Sequence, residues 1–236
     1  MKVYCVIPAR GGSKRIPQKN IANLLGKPLL LYAVEAAKDS GIFDDIIVNS
    51  DDRNICDLAV KNLVNFYHRP INLATDEALL IDVIKEMLNT YKLNDDSVLG
   101  ILHPTNPLRT VDDIIRAFDI FKSNDCKCPV VSVSENEHPI QLSLVINGGH
   151  VSPLFSELYE VSSRPADYVG HHTTYRYNEA VLFNSVGRLK VQKNLIGDNP
   201  IPYVMPKERS VSIDYPYQFD CVRGIMEGGL YEKSQN

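Results

Sequence analysis

The sequence predicts an α/β fold built on a mostly parallel sheet, with a small β-rich insertion in its second half. Short apolar runs alternate with longer segments of helical periodicity, and this order is typical of βαβ units on a parallel sheet. The predicted strands are Val3–Ile7, Ile46–Val48, Val98–Leu102 and Val130–Val133. The alternation of strand and helix patterns ends after about Glu135, which places the insertion at about residues 138–185.

Amphipathic helices are predicted between and after these strands. In Pro28–Asp39 the Leu, Tyr, Val and Ala residues recur at helical spacing, and Ser40-Gly41 supplies a stop signal. Four further segments have similar periodicity. They are Arg53–Asn62, Glu77–Tyr91, Asp112–Lys122 and Pro216–Glu227.

The insertion carries a hairpin signal. Gln141–Ile146 and His150–Leu154 flank Asn147-Gly148-Gly149, a turn favoured between antiparallel strands. A loop-like run at 162–174 precedes another apolar strand, Ala180–Phe183. Strand edges left open in a monomer invite pairing with a second copy, so we expect a homodimer. Because no repeat or linker divides the chain, we expect residues 1–236 to form one domain.

Composition narrows the class of protein. With 236 residues, of which 44% are hydrophobic, the chain can bury one substantial core. A net charge of −4 argues against a binder of nucleic-acid backbones, so any anion must be held in a local pocket. No apolar run approaches the roughly 20 residues of a membrane span, and no signal peptide is recognisable, so we expect a cytoplasmic protein.

The five cysteines are scattered and odd in number, which predicts reduced thiols rather than a disulfide framework. Cys126-Lys-Cys128 lacks a second Cys/His pair at zinc-ligand spacing. We therefore expect no zinc site there.

The sharpest signal is a turn rich in glycine and cations directly after the first predicted strand. Gly11 and Gly12 stand where backbone N–H groups can approach phosphate oxygens at the carboxyl edge of a sheet. The cations of the same stretch are Arg10, Lys14, Arg15 and Lys19, which together suit a triphosphate. The spacing matches neither a Walker P-loop nor a dinucleotide fingerprint, which weakens kinase, ATPase and dehydrogenase hypotheses.

The stretch PARGGSKRIPQKNIANLLGKPLL, residues 8–30, resembles the opening motif of the acylneuraminate cytidylyltransferases, also called CMP-sialic acid synthetases. The resemblance continues, in the family's order, through the blocks at 69–76, 102–109, 175–178 and 205–214. It implies a Rossmann-like nucleotidyltransferase with a dimer-forming insertion. It also implies a Mg²⁺-dependent reaction between CTP and a sialic-acid-like (nonulosonic) acid sugar, which yields the CMP-sugar and pyrophosphate.

The resemblance also assigns roles to residues. The implied nucleotide-binding residues are Arg10, Gly11, Gly12, Ser13, Lys14, Asn20, Arg69, Ala74 and Thr75. The implied contacts to the acid sugar are His103, Thr105, Arg176 and Asn178. Arg10, Lys19 and Arg164 are the implied catalytic residues, and Asp214 is the implied metal ligand.

Other positions depart from the family pattern or have a simpler explanation. Ser212 stands where the family commonly carries a second Asp, and Glu179 stands where Gly is usual. These departures keep alternatives open: another acid sugar of the legionaminic, pseudaminic or Kdo type, a sugar 1-phosphate, or a nucleotide-binding homologue without activity. Asp51 and Asp52 are expected foremost to cap the following helix.

Overall fold

The computed structural model of the protein describes residues 1–138, 140–155 and 173–229. Its strands are β1 (Val3–Pro8), β2 (Asn23–Leu24), β3 (Lys27–Pro28), β4 (Asp45–Ser50), β5 (Asn65–His68), β6 (Val98–Ile101), β7 (Val130–Glu135), β8 (Leu144–Asn147), β9 (His150–Pro153), β10 (Tyr175–Ser185) and β11 (Ile201–Val204). Its α-helices are α1 (Leu29–Ser40), α2 (Arg53–Lys61), α3 (Leu80–Thr90), α4 (Val111–Ser123), α5 (Val186–Val191) and α6 (Pro216–Glu227).

A seven-stranded sheet in the order β11-β7-β10-β6-β1-β4-β5 forms the centre of the protein. β1 pairs in parallel with β4 and β6, β4 with β5, and β7 with β11. β10 lies antiparallel between β6 and β7. The mostly parallel α/β sheet predicted from the sequence is therefore confirmed.

Helices cover both faces of the sheet, because successive residues of each central strand point to opposite sides and both sides are apolar. Cys5 and Ile7 of β1 pack in the core that includes residues of α1, α2 and α4. Val6 packs in the core that includes residues of α3 and α5. The result is a three-layer arrangement whose central strands are buried on both faces.

The ends of the helices follow from local chemistry. Gly41 ends α1 in the left-handed region with φ of 64°, as the stop signal predicts. The Asp52 carboxylate caps α2 by accepting hydrogen bonds from the N–H groups of Asn54 and Ile55, so its expected capping role is confirmed. α6 begins and ends at the predicted residues.

Two predicted elements need correction, and one strand was not predicted. β10 spans 11 residues rather than the predicted Ala180–Phe183. A register shift between Tyr177 and Leu182 interrupts its pairing with β7. This irregularity breaks the alternation of buried and exposed residues, so the sequence pattern shows only part of the strand. No strand was predicted at β11, which contains Pro202 and lies at the edge of the sheet, where proline is tolerated. α3 begins at Leu80 rather than Glu77.

The predicted hairpin is present as β8 and β9, which pair antiparallel around Asn147-Gly148-Gly149-His150. Its first strand starts at Leu144 rather than Gln141, because a 3-10 turn spans Ile140–Leu142. Several of its apolar side chains are exposed. They are Leu144, Ile146, Val151, Leu154 and Phe155.

Two further expectations concern the chain as a whole. All five cysteines carry free thiols, as expected. In the described ranges, no helix combines the length and apolarity that crossing a membrane requires.

A buried ion pair ties α4 to the segment after β11. The Arg209 guanidinium donates to both carboxylate oxygens of Asp113, and the Tyr203 hydroxyl donates to one of them. Burial alone would raise the pKa of Asp113, but hydrogen bonds from Arg209, the Thr110 backbone and Tyr203 outweigh it and lower the pKa. This carboxylate therefore stabilises the fold above its ordinary pKa, and the stabilisation is lost as the pH falls through the lowered value.

Asp113→Asn should lower the free energy of unfolding at pH 7 by about 3 kcal/mol, because it leaves the buried Arg209 charge uncompensated. The loss should begin to shrink below about pH 4, because unfolding of the unmodified protein is then favoured by proton uptake at Asp113, which the Asn variant lacks. Urea denaturation at pH 7 and pH 3.5 measures both effects. Asp112→Asn is the matched control, since its exposed pair with Arg116 should contribute less than about 0.5 kcal/mol. Equal losses in the two variants would contradict the assignment.

Candidate active site

A cavity of about 310 Å³ lies at the carboxyl edge of the parallel strands. The segments that follow β1, β5 and β6 form its walls, together with the irregular part of β10. Its polar lining residues are Arg10, Lys19, Asn20, Arg69, Thr75, Asp76, His103, Thr105, Glu179 and Asp214. Ligands of open α/β sheets bind at this edge, so the location alone favours a functional site.

A larger hollow of about 520 Å³ lies at the opposite edge, where β4 and β5 begin. Its lining includes Lys38, Asp44 and Asp45 among apolar side chains such as Phe43. The larger hollow is lined by one cation, whereas the smaller cavity is lined by three cations and by four polar side chains that carry no formal charge. We therefore assign the candidate site to the smaller cavity on chemical grounds.

The turn after β1 is held in place by its own side chains. The Asn20 side-chain amide donates to the Arg10 carbonyl at 2.9 Å, and the Gly11 N–H donates to the Asp51 carboxylate at 3.0 Å. A Cβ atom at Gly11 would lie 2.6 Å from the Cβ of Asp52, so the close approach of these two segments requires glycine. Asp51 thus fixes the turn, while Asp52 caps α2.

Two of the cations predicted to meet a triphosphate are paired with one carboxylate. Arg10 lies 2.8 Å and Lys14 lies 2.5 Å from opposite oxygens of Asp76. Hydrogen bonds from Lys14 and then Arg10 lower the pKa of Asp76. Arg10 also donates to the Thr75 carbonyl at 3.1 Å. The loop after β5 therefore faces the turn after β1 across the cavity.

Arg69 is buried and held by Asn49 of β4. Its Nε donates to the Asn49 side-chain oxygen at 2.7 Å, and one terminal nitrogen donates to the Asn49 carbonyl at 3.1 Å. Burial lowers the pKa of Arg69. The Asn49 amide nitrogen is itself buried, and it has no hydrogen-bond partner among the described residues. Sequence reasoning missed Asn49, although a polar residue within a buried apolar strand was a visible signal.

His103 follows β6 and lines the cavity. Its Nε2 atom is buried and finds no hydrogen-bond partner in the described part of the chain. Burial lowers its pKa to about 4, and the charges of Arg109 and Lys19 act in the same direction. The imidazole is therefore neutral at pH 7 and can offer Nε2 to a ligand.

Lys19 and Asp214 form an ion pair on the cavity wall. Lys19 Nζ lies 2.9 Å from Asp214 Oδ1 and donates to the Ile213 carbonyl at the same distance. The Ser212 hydroxyl lies 3.5 Å from the other Asp214 oxygen. Asp214 therefore supplies one carboxylate with a hydroxyl beside it. Within the described ranges, no group of three or more His, Cys, Asp or Glu side chains is placed to hold a metal ion.

Glu179 stands at the irregularity of β10 and lines the same cavity. Its φ of 61° lies in the left-handed region, which non-glycine residues seldom adopt. Burial raises the pKa of its carboxyl, and the negative charge of Asp214 adds to this, opposed by Lys19. The structure thus brings into the site a residue that the sequence marked only as a departure from the family pattern.

Asn178 lies in a buried hydrogen-bond network rather than on the cavity wall. Its amide nitrogen donates to Ser210 Oγ at 2.9 Å, and its side-chain oxygen accepts from Ser132 Oγ at 2.5 Å. Its carbonyl accepts from Asn106 at 2.8 Å. Both polar atoms of that side chain have protein partners and Asn178 does not line the cavity, so the predicted sugar contact at Asn178 stays a prediction without support from this placement. The side chain supports the loops that do face the cavity.

Arg176 also bonds within the protein, since it donates to the Ser210 carbonyl at 2.8 Å. It lies on β10 and does not line the cavity. Its predicted contact with the sugar therefore has no support from this placement. Arg164 lies outside the described residues.

The remaining predicted residues fall into two groups. Eight lie on the cavity wall: Arg10, Lys19, Asn20, Arg69, Thr75, His103, Thr105 and Asp214. Five lie beside it without lining it: Gly11, Gly12, Ser13, Lys14 and Ala74. The structure thus gathers into one cavity residues that are up to about 200 positions apart in the sequence.

Comparison with known proteins agrees with this geometry. The family model described as cytidylyltransferase matches residues 4–203. The chain belongs to the cytidylyltransferase family. The match starts within β1 and extends to β11, so it includes every strand of the central sheet.

The relatives of this cytidylyltransferase are named for different acid sugars. The chain is 37% identical to pseudaminic acid cytidylyltransferase of Campylobacter jejuni over 78% of its length and 77% of the relative. It is 32% identical to CMP-N,N'-diacetyllegionaminic acid synthase of Legionella pneumophila over 96% and 97%. It is 31% identical to N-acylneuraminate cytidylyltransferase of Escherichia coli over 96% of this chain but 52% of that protein. The chain thus spans about half the length of the last relative.

Among solved structures, the chain is similar to CMP:2-keto-3-deoxy-manno-octonic acid synthetase complexed with CTP. The TM-score is 0.71 at 15% identity, with 97% of this chain and 100% of the other covered. At that identity the likeness establishes the fold alone. It confirms the predicted nucleotidyltransferase fold class.

Proposed function

We propose that this cytidylyltransferase joins CTP to a nonulosonic acid sugar, giving the CMP-sugar and pyrophosphate. The observation that carries the proposal is the single cavity that gathers Arg10, Lys19 and Arg69 opposite His103 and Thr105. The named activities of the relatives, each a transfer to an acid sugar, support the substrate class. We also propose that residues 1–236 act as one domain, in the cytoplasm.

The cavity has one half suited to a triphosphate. Arg10 and Arg69 follow β1 and β5, which lie on one side of the site in the strand order. Arginine binds phosphate oxygens with a rigid, permanently charged fork. In the proposed complex, phosphate oxygens replace Asp76 as the partner of Arg10 and Lys14. Asn20 and Gly11 keep the turn in the shape that receives them.

The other half is suited to the acceptor sugar. His103 and Thr105 follow β6, and both are uncharged at neutral pH. In the proposed reaction, the anomeric hydroxyl of the sugar attacks the α-phosphorus of CTP and pyrophosphate leaves. Such a reaction depends chiefly on positioning and on neutralising charge. Lys19 lies between the halves, where it can meet the charge that develops on the phosphate.

We further propose that Mg²⁺ is the cofactor and that Asp214 holds it. The donor chemistry fits, because Mg²⁺ is commonly held by one or two carboxylates together with substrate phosphates and water. When bound, the cation would neutralise charge on the phosphates. The ion pair of Asp214 with Lys19 holds this carboxylate at the cavity wall.

The central experiment measures pyrophosphate release with CTP, UTP, ATP and GTP against a panel of acid sugars. The panel contains N-acetylneuraminic, legionaminic and pseudaminic acids and Kdo, with a sugar 1-phosphate as a further acceptor. We expect CTP to be preferred at least about tenfold with one or more acid sugars. Equal turnover with UTP, or turnover of the sugar 1-phosphate alone, would contradict the proposal. Binding of CTP without pyrophosphate release would instead identify a nucleotide-binding homologue.

Asp214→Asn should lower turnover at saturating Mg²⁺ by about a hundredfold or more, because it removes the carboxylate charge at the cation. Ser212→Asp should lower the Mg²⁺ concentration that gives half-maximal rate, since it adds a second carboxylate. Titration calorimetry of Mg²⁺ into the enzyme with bound CTP gives a readout independent of turnover. Asp220→Asn on α6 is the matched control, because that side chain is exposed and pairs only with Arg223 among the described residues. Turnover of Asp214→Asn near that of the unmodified protein would refute the metal assignment.

Homodimerisation through the insertion is proposed from its exposed apolar side chains. Ile146 is 75% exposed and Val151 is 64% exposed, and a two-stranded hairpin is marginally stable without packing. Light scattering at micromolar concentration should give the mass of a dimer, and Ile146→Glu with Val151→Glu should give a monomer. Val191→Glu, at the 81% exposed end of α5, should leave the mass unchanged. A monomer mass for the unmodified protein would refute the proposal.

A further inference from the structure

Three carboxylates line the candidate active site, and they differ in their partners. Asp76 is paired with Arg10 and Lys14, and Asp214 is paired with Lys19. Within the described ranges, the Glu179 carboxylate forms no hydrogen bond or ion pair. Much of Glu179 remains accessible to solvent, and a ligand that fills the cavity would displace water from its carboxylate, which costs free energy unless the ligand supplies a hydrogen-bond donor. A ligand that supplies a donor would therefore gain binding free energy at Glu179.

The backbone conformation places this side chain where it is. The register shift between Tyr177 and Leu182 turns the chain out of the β10 ladder, and Glu179 takes up a φ of 61°. Its neighbours are fixed on both sides, because Asn178 is bound to Ser210 and the Ala180 carbonyl accepts from Arg109 at 2.7 Å. The carboxylate is thus presented by a rigid segment and not by a freely moving loop.

The position also decides which substrate the carboxylate meets. β10 is adjacent to β6, on the side of the cavity that holds His103 and Thr105, whereas Arg69 follows the distant β5. A carboxylate repels phosphates, so the nucleotide is best placed against the arginines and away from Glu179. The acid sugar's own carboxylate is repelled in the same way. The group of the sugar that faces Glu179 must therefore be a hydrogen-bond donor. A positively charged donor would bind this carboxylate most strongly.

From this arrangement we propose that Glu179 determines sugar specificity by binding a protonated nitrogen substituent, such as an amino or amidino group, on the acid sugar. The inference rests on the proposed function, since it concerns the acceptor of that reaction. Glu179 selects such a sugar over its acylated counterpart because only the charged nitrogen gives a charge-assisted hydrogen bond. The residue discriminates between substrates and carries no step of the chemistry.

The test compares matched acid sugars that carry either a free amino or an acetamido group at the same carbon. Pyrophosphate release with CTP gives kcat/KM for each, and the ratio of the two is the readout. The unmodified enzyme should favour the amino sugar about tenfold or more at one position of the sugar. Glu179→Gln should abolish that preference chiefly through a higher KM for the amino sugar, with kcat for the acetamido sugar changed less than about threefold.

Two further variants keep the outcome interpretable. Glu179→Gly removes the carboxylate and suits the left-handed backbone, so it should fold and show the same loss of preference. Glu77→Gln is the matched control, because Glu77 is exposed near Asp76 but does not line the cavity, and it should retain the preference. An amino-to-acetamido ratio that is the same in the unmodified enzyme and in both Glu179 variants would overturn the inference. If no acid sugar releases pyrophosphate at all, the proposed function itself fails.

Discussion

The candidate site depends on one buried polar network centred on Asn178. The antiparallel strand β10 lies inside an otherwise parallel sheet. Its irregular segment has backbone groups that cannot form hydrogen bonds with the neighbouring strands. The Asn178 side chain bonds to β7 through Ser132 and to the segment before Asp214 through Ser210. Its carbonyl binds Asn106, in the loop that carries His103 and Thr105. Since an unsatisfied buried polar group costs about 1–3 kcal/mol, these bonds fix three walls of the cavity relative to each other.

The sequence predicted the parts of the fold that local chemistry decides. Periodicity located the central strands, and Gly41 and Asp52 marked helix boundaries that the structure retains. The glycines and cations after β1 located one wall of the site, because their spacing is a local property. The local sequence did not show which strands pair with one another in the sheet. β11 contains Pro202, and a strand tolerates proline there only because it lies at the edge of the sheet, a place that the local sequence does not reveal.

The sequence indicated many of the residues that line the candidate site, but not which of them contact one another. Arg10, Arg69 and Asp214 lie on the cavity wall as expected. That Asn49 would hold Arg69, and that Asn178 would face the core, depends on contacts between residues far apart in the chain. A motif records which residue types recur together, and it does not distinguish a side chain that touches a ligand from one that supports its neighbour. In this structure Asn178 and Arg176 both donate hydrogen bonds to Ser210, and neither lines the cavity.

The Asp76 ion pairs have a consequence for selectivity among anions. Asp76 acts as an internal counterion, because its single negative charge is shared between Arg10 and Lys14 and offsets part of their combined charge. An incoming anion must displace this carboxylate, so the cations are not available at full strength to every phosphate compound. A single phosphate group exchanges one anion for another and gains little from the exchange. A triphosphate offers several oxygens along its length and can pair with both cations at once, so under the proposed function this carboxylate would favour polyphosphates over inorganic phosphate.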